Sequence, residues 1–82
     1  AIDQLTRWLA TTIAPEIRVN AISPGGIYRK QDRNFVNKYS QKTPLGRMAC
    51  ENDLKGAIAY LASDLSEYVT GQILEVNGGW GI

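Results

Sequence analysis

The sequence predicts a small α/β unit whose sheet is incomplete. Two stretches carry apolar residues at helical spacing, two shorter ones are rich in β-branched residues, and the two kinds alternate along the chain. The order helix, strand, helix, strand favours two parallel strands joined by a right-handed crossover. A two-stranded parallel sheet covered on one face leaves open edges and an uncovered side. We therefore expect the 82 residues to form one partial domain, completed by more chain or by another subunit.

The first predicted helix covers residues 1–14. Its apolar residues recur at the spacing of one helical face, at Ile2, Leu5, Leu9 and Ile13. Pro15 ends the segment, because proline disrupts a helix interior. Trp8 lies outside the apolar stripe. It either packs on a loop of its own subunit or contacts a helix of a second subunit, and the residues favour neither interpretation.

The next predicted elements are a strand and a short helix. Residues Ile17 to Ser23 are rich in β-branched side chains and are followed by Pro24-Gly25-Gly26, so they read as a strand. Gln31 to Gln41 fits a short helix that ends before Thr43-Pro44. That helix places its larger apolar side chains together, at Phe35, Val36 and Tyr39.

A clearer helix and a second strand complete the chain. Glu51 to Ser63 has an apolar stripe and carries acidic residues in its first turn, where the helix dipole favours them. Thr70-Gly71 predicts a turn. The stretch from Ile73 to Val76 then predicts a short strand, which ends at Asn77-Gly78-Gly79.

Composition narrows the possible functions. Nine Lys and Arg balance eight Asp and Glu, which gives no electrostatic case for nucleic acid or an anionic membrane. No apolar run approaches the roughly 20 residues of a membrane span, and no signal peptide is indicated. The single Cys50 and the absence of histidine exclude an internal disulfide, histidine-based nucleophile systems and most metal sites, so no metal is expected. A reducing, cytoplasmic setting fits best.

Two glycine-rich loops are the candidate ligand-binding feature. One follows the first strand at Pro24-Gly25-Gly26, and the other follows the second strand at Asn77-Gly78-Gly79. Parallel strands place both loops at the same sheet edge, where ligands of open α/β sheets bind. Glycine allows a close approach of the backbone to a flat ligand. Such dipeptides are, however, more often simple turns.

The order of the segments supplies a more specific indication. AIDQLTRWLA, IRVNAISPGGI, TPLGRMA and DLKGAIAYLASDLSEYVTGQILEVNGGW follow one another without large gaps. Together they resemble the last third of a short-chain dehydrogenase/reductase over essentially the whole chain. The resemblance implies the C-terminal portion of a Rossmann-like doubly wound parallel sheet. It also implies an oxidoreductase that uses NAD or NADP and acts on a carbonyl or secondary alcohol, with a sugar-derived substrate as one option.

The resemblance implies cofactor-binding roles for Pro24, Gly25, Gly26 and Ile27, on the nicotinamide side of the site. The family often places a threonine shortly afterwards, whereas this chain has Tyr28 and Arg29 in a substrate-loop region that spans residues 28–43. Arg29 either binds an anionic group as a bidentate donor or is a solvated loop arginine.

The catalytic residues of the family are expected outside this chain. The family uses a Tyr-x-x-x-Lys motif and a serine, and none of the four tyrosines here has Lys four positions later. The segment alone is therefore expected to lack catalytic residues, and the glycine fingerprint for the adenine half of the cofactor is missing too.

The resemblance also implies a homodimer or homotetramer that binds a small-molecule substrate. Trp8 would lie in one interface, and Leu61, Tyr68 and the final strand in a second. Two other interpretations remain open. In the first, the chain is a non-catalytic structural or oligomerisation module of the same fold. In the second, it is a small protein of unrelated fold that completes its sheet by self-association.

Overall fold

A computed structural model describes all residues from Ala1 to Ile82. The elements are α1 (Ile2–Thr12), β1 (Ala21–Pro24), α2 (Arg33–Lys42), α3 (Asn52–Ala62) and β2 (Ile73–Val76), with one 3-10 turn at Asp64–Ser66. None of the helices has the length and apolar character that crossing a bilayer requires. The α/β class and the predicted order of elements are confirmed.

The two strands form a parallel sheet, as the sequence predicts. Ala21 lies beside Ile73 and Pro24 beside Val76, so the four-residue strands are in register over their full length. Pro24 is tolerated as the last residue of β1, since a strand end does not require its missing N–H. Helix α3 packs against both strands. Both strands therefore end at the same edge, with their glycine-rich loops side by side.

The first strand begins at Ala21 rather than at the predicted Ile17. The preceding backbone instead bonds to the turn before β2. The Val19 N–H donates to Thr70 Oγ1 at 3.1 Å, and the Gly71 N–H donates to the Val19 carbonyl at 2.7 Å. The strand ladder starts where Ala21 pairs with Ile73, so the β-branched residues Ile17 and Val19 lie outside the strand.

Arg18 joins β1 to the end of α3. Its guanidinium donates to the carbonyls of Leu61 and Val69 at 3.1 Å and of Ser63 at 3.2 Å. The last carbonyls of a helix lack intrahelical partners and carry the negative end of the dipole, so a cation stabilises them. Asn20 adds a donor to the Val69 carbonyl and an acceptor for the Gln72 N–H. The turn before β2 is thus held by side chains that precede β1.

The helices differ from their predicted bounds only at the ends. Helix α1 ends at Thr12 rather than Ala14, and α3 covers Asn52–Ala62 within the predicted 51–63. Helix α2 begins at Arg33 rather than Gln31, because the Asp32 carboxylate accepts the Asn34 N–H at 3.1 Å and caps the helix there.

The molecule is open and has little core. Only five of its 82 residues are buried: Thr6, Ala10, Thr43, Met48 and Ser66. The Cα radius of gyration is 15.1 Å, against about 12 Å for a compact domain of this length. Large apolar side chains lie exposed, at Ile2, Leu5, Trp8, Ile58, Leu65, Tyr68 and Ile82 among others. The prediction of an incomplete domain is confirmed.

A bidentate ion pair joins the loop before α3 to the first turn of that helix. Arg47 donates to both Asp53 oxygens, at 2.7 and 2.8 Å, and the Cys50 N–H donates to the same carboxylate at 2.8 Å. The hydrogen bond from Arg47 and then that from Cys50 hold the pKa of Asp53 well below its usual range. The Arg47 pKa is raised in turn, chiefly by its hydrogen bond to Asp53.

Replacing Arg18 tests its role as a link between β1 and α3. In the complete polypeptide that carries this sequence, Arg18→Lys keeps the positive charge. The lysine ammonium, however, cannot donate to all three carbonyls as the planar guanidinium does. We expect the free energy of unfolding to fall by about 1–2 kcal/mol. Urea denaturation measures the loss, and Arg7→Lys, at an exposed arginine of α1, is the matched control. Equal effects of the two substitutions would contradict the assignment.

The Arg47–Asp53 pair predicts a defined pH dependence of stability. A carboxyl whose folded pKa is lowered contributes stability above its unfolded pKa of about 4, and loses it as the pH falls toward the folded value. The stability gap between the wild type and Asp53→Asn is therefore expected to be constant from neutral pH to about pH 5 and to shrink below about pH 4. Denaturation midpoints across this range measure the gap. Asp3→Asn, which removes a carboxylate without an ion pair, is the control; the same trend in both variants would refute the prediction.

Candidate functional site

The candidate site lies where the two glycine-rich loops meet. The Gly25 N–H donates to the Val76 carbonyl at 2.9 Å, which continues the strand ladder past β1 and keeps the loops adjacent. The segment after α2 contacts the second of these loops, since the Leu45 N–H donates to the Gly78 carbonyl at 3.0 Å. The predicted placement of both loops at one sheet edge is therefore what the structure shows.

A cleft of about 130 Å³ opens between these loops. Its lining combines glycine backbone with a tyrosine, an ion pair and small apolar groups: Gly25, Gly26, Tyr39, Leu45, Arg47, Ala49, Asp53, Val76, Asn77 and Gly78. The two charged members are the bidentate pair described above. Because their hydrogen bonds are directed at each other, the ion pair forms a fixed polar wall. No three His, Cys, Asp or Glu side chains lie close enough together to bind a metal ion.

Close packing explains the glycine at one position in each of the two loops, Gly26 in the first and Gly79 in the second. A Cβ on Gly26 would lie 2.6 Å from Tyr39 Cζ, so the tyrosine ring lies directly against the Gly26 backbone. On the other loop Gly79 has φ +91°, and a Cβ there would lie 2.8 Å from Pro44 Cγ. A larger residue would push away the segment that crosses the loops.

The backbone around Ile27 leaves one donor without a partner. Ala49 forms a parallel bridge with Ile27, in which its N–H donates to the Gly26 carbonyl at 2.9 Å and its carbonyl accepts the Tyr28 N–H at 2.8 Å. The Ile27 carbonyl accepts the Gln31 side-chain amide at 3.0 Å. The Ile27 N–H makes no hydrogen bond within the chain. Ile27 is only partly buried, so this donor is free to bind water or a ligand.

Tyr28 and Arg29 lie away from the cleft. Tyr28 is about half exposed, at 48%. Arg29 Nη2 lies 3.2 Å from Glu51 Oε1, and both side chains are largely exposed. The structure thus brings Gly25 and Gly26 to the cleft, with Pro24 and Ile27 on either side of them along the chain, and leaves Tyr28 and Arg29 beside the first turn of α3.

The structure shows further site residues that the sequence did not single out. Tyr39 Oη accepts the Gly26 N–H at 2.6 Å, and its ring stacks on Trp80 with centroids 5.7 Å apart. The sequence places Tyr39 on one apolar face with Phe35 and Val36, and the contact of its hydroxyl with the Gly26 backbone was not predicted. The helical spacing of Phe35 and Tyr39 indicates that both lie on one apolar face. The spacing does not indicate that this face packs against the Gly26 backbone. The only indication of the Arg47–Asp53 pair in the sequence is an acidic residue in the first turn of a predicted helix.

Comparison with known proteins agrees with this geometry. A family model described as Enoyl-(Acyl carrier protein) reductase matches residues 1–81. A sorbose reductase of Schizosaccharomyces pombe is 42% identical over 84 residues, which cover 98% of this chain and 33% of that protein. The chain spans about a third of the length of the curated relatives it matches.

Solved structures show the same similarity. A short chain dehydrogenase from Leptospira borgpetersenii with bound NAD+ superposes with a TM-score of 0.95 at 52% identity, covering 99% of this chain and 32% of that one. A gluconate 5-dehydrogenase from Burkholderia cenocepacia in complex with NADP and tartrate has a TM-score of 0.90 at 32% identity, covering 96% and 34%.

Sequence and fold therefore agree over nearly every residue, and the chain belongs to the short-chain dehydrogenase/reductase family, of whose Rossmann-like sheet it forms a part.

Proposed function

We propose that the chain supplies the nicotinamide-side wall of an NAD(P)-dependent oxidoreductase. The whole protein transfers a hydride between the nicotinamide and a carbonyl or secondary alcohol. The observation that carries the proposal is the glycine cleft beside the unpartnered Ile27 N–H, because a carboxamide oxygen is a suitable acceptor for that donor. Relatives crystallised with NAD+ and with NADP support the choice of cofactor.

Four consecutive residues would hold the nicotinamide. Pro24 ends β1 and has no N–H to satisfy, while Gly25 and Gly26 present backbone without side chains to the cleft. Ile27 offers its free N–H and an apolar side chain. When bound, the nicotinamide supplies the hydride acceptor or donor. The chain's own residues bind and orient the ring, and proton transfer falls to a tyrosine and lysine that this segment does not contain.

Residues 28–43 are proposed as the substrate loop of this single partial domain. Tyr28 and Arg29 open the loop, and its helix α2 contributes Tyr39 to the lining of the cleft. Closure of such a loop excludes water from hydride transfer. A sorbose reductase and a gluconate 5-dehydrogenase among the relatives support a sugar-derived substrate.

The exposed apolar faces support assembly into a homodimer or homotetramer. Leu5 and Trp8 of α1 are 50% and 60% exposed, and Tyr68 is fully exposed. Single exposed apolar residues are normal on a monomer, but several on one small unit mark surfaces that are covered elsewhere. We propose that α1 forms one interface, and that Leu61, Tyr68 and β2 form the other.

The same faces favour a second candidate function, a non-catalytic oligomerisation module of the same fold. The intact mass of the polypeptide, with N-terminal sequencing, separates the two functions. A mass several times that of this chain, with a Tyr-x-x-x-Lys motif and turnover of NADH or NADPH, supports the oxidoreductase. A mass near 9.0 kDa excludes catalysis by this polypeptide and leaves either a cleaved remnant of the enzyme or the module.

Substituting Ile27 tests the proposed cofactor contact. In the complete polypeptide Ile27→Pro removes the N–H without breaking any hydrogen bond within the chain. We expect the dissociation constant for NADH or NADPH to rise about tenfold, as for loss of one well-formed hydrogen bond. Fluorescence titration of the reduced cofactor measures it. Ile27→Val keeps the N–H and is the matched control, and unchanged affinity in the proline variant would exclude the contact.

A further inference from the structure

Tyr39 is the residue of α2 that contacts Gly26 in the cofactor loop, which is the stretch Pro24–Ile27 proposed above to bind the nicotinamide. Its hydroxyl accepts the Gly26 N–H at 2.6 Å, and its ring atoms lie within 3 Å of the place that a Gly26 Cβ would take. This contact is shorter than most N–H···O hydrogen bonds, which span about 2.7–3.2 Å, so the tyrosine hydroxyl lies tightly against the Gly26 backbone. Tyr39 is thus both the acceptor that satisfies Gly26 and the surface against which Gly26 packs.

Three neighbours fix the position of the tyrosine. The Tyr39 ring stacks nearly parallel on Trp80, with an interplanar angle of 9° and centroids 5.7 Å apart, and lies 6.1 Å from the ring of Phe35. The Thr43 hydroxyl donates to the Tyr39 carbonyl at 2.8 Å, at the end of α2. The hydroxyl therefore occupies a place set by the helix and by the C-terminal tail together.

The bond to Tyr39 completes the fixation of the loop. The N–H groups of Gly25, Gly26 and Tyr28 are all bonded within the chain, to Val76, Tyr39 and Ala49. The two partners of Gly25 and Tyr28 are backbone groups, so Tyr39 provides the one side-chain contact in this set. Its removal would free the N–H of the Gly25–Gly26 peptide, while the next peptide, which carries the Ile27 N–H, would keep only the bond from the Ala49 N–H to the Gly26 carbonyl.

We propose that Tyr39 is a positioning residue for the nicotinamide: its hydroxyl holds the Gly25–Gly26 peptide and, together with the Ala49 bond to the Gly26 carbonyl, keeps the following Ile27 N–H preorganised to bind the carboxamide. This inference rests on the proposed function, since it assumes that the ring binds at Gly25–Ile27. It gives the proposed substrate loop a second role, which is to fix the geometry of the residues at Gly25–Ile27 through Tyr39. Preorganised donors bind more tightly because less ordering remains to be done on binding.

The test uses Tyr39→Phe in the complete polypeptide, because phenylalanine keeps the stacked ring and removes only the hydroxyl. In the cofactor-free protein, we expect amide hydrogen exchange at Gly26 to become several-fold faster. The dissociation constant for whichever of NADH and NADPH the wild type binds is expected to rise about three- to tenfold. Tyr60→Phe, at a tyrosine of α3 whose hydroxyl makes no hydrogen bond, is the control and should change neither value.

A cofactor fragment distinguishes positioning from general damage. ADP-ribose, or its 2′-phosphate where the wild type prefers NADPH, lacks the nicotinamide ring, so its affinity should be the same in the wild type and in Tyr39→Phe. Equal weakening of the fragment and the full cofactor would show a merely structural role and overturn the inference, as would unchanged exchange at Gly26 or unchanged cofactor affinity. A wild type that binds neither NADH nor NADPH would instead overturn the proposed function, and this inference with it.

Discussion

Parallel pairing of β1 with β2 brings distant parts of the chain into one site. The strands are only four residues long, yet their register places Pro24 beside Val76 and so aligns the two loops that follow. A shift by one residue would move each glycine-rich loop relative to the other and reverse which side chains face α3. Short strands tolerate such slips unless other contacts prevent them. Here the contacts that prevent them are polar and lie just before the strands, at Arg18 and Asn20.

Polar contacts have this role because the segment has almost no core. With five buried residues, apolar burial cannot specify one arrangement of α3 and the sheet. Arg18 instead bonds to three carbonyls around the end of α3, and Asn20 accepts and donates at the turn before β2. Hydrogen bonds are directional, so a few of them can define a register that a small apolar contact would leave loose.

Local sequence signals predicted the elements well and the long-range contacts poorly. Strand β2 has its predicted bounds because Gly71 and Asn77 flank a short apolar run, and the helices end within two residues of prediction. The start of β1 was wrong because the partners of Arg18 and Val19 lie about fifty residues later in the chain. The glycine loops could be placed together from topology alone. The contact of Tyr39 with Gly26 could not, since it depends on how the loop after β1 returns across the cleft.

The division between this segment and the rest of the fold has a physical consequence for the cleft. The contacts within this segment shape one wall of the site, and many of them are part-exposed. Hydrogen bonds and ion pairs open to water contribute little each. Covering the free faces of α1, α3 and the sheet would lower the local dielectric and strengthen the same bonds. The Tyr39 hydroxyl would then hold the loop after β1 more firmly, and the Arg47–Asp53 pair the loop before α3. The segment therefore contains the shape of this wall, and the rigidity of that shape depends on the surfaces that cover it.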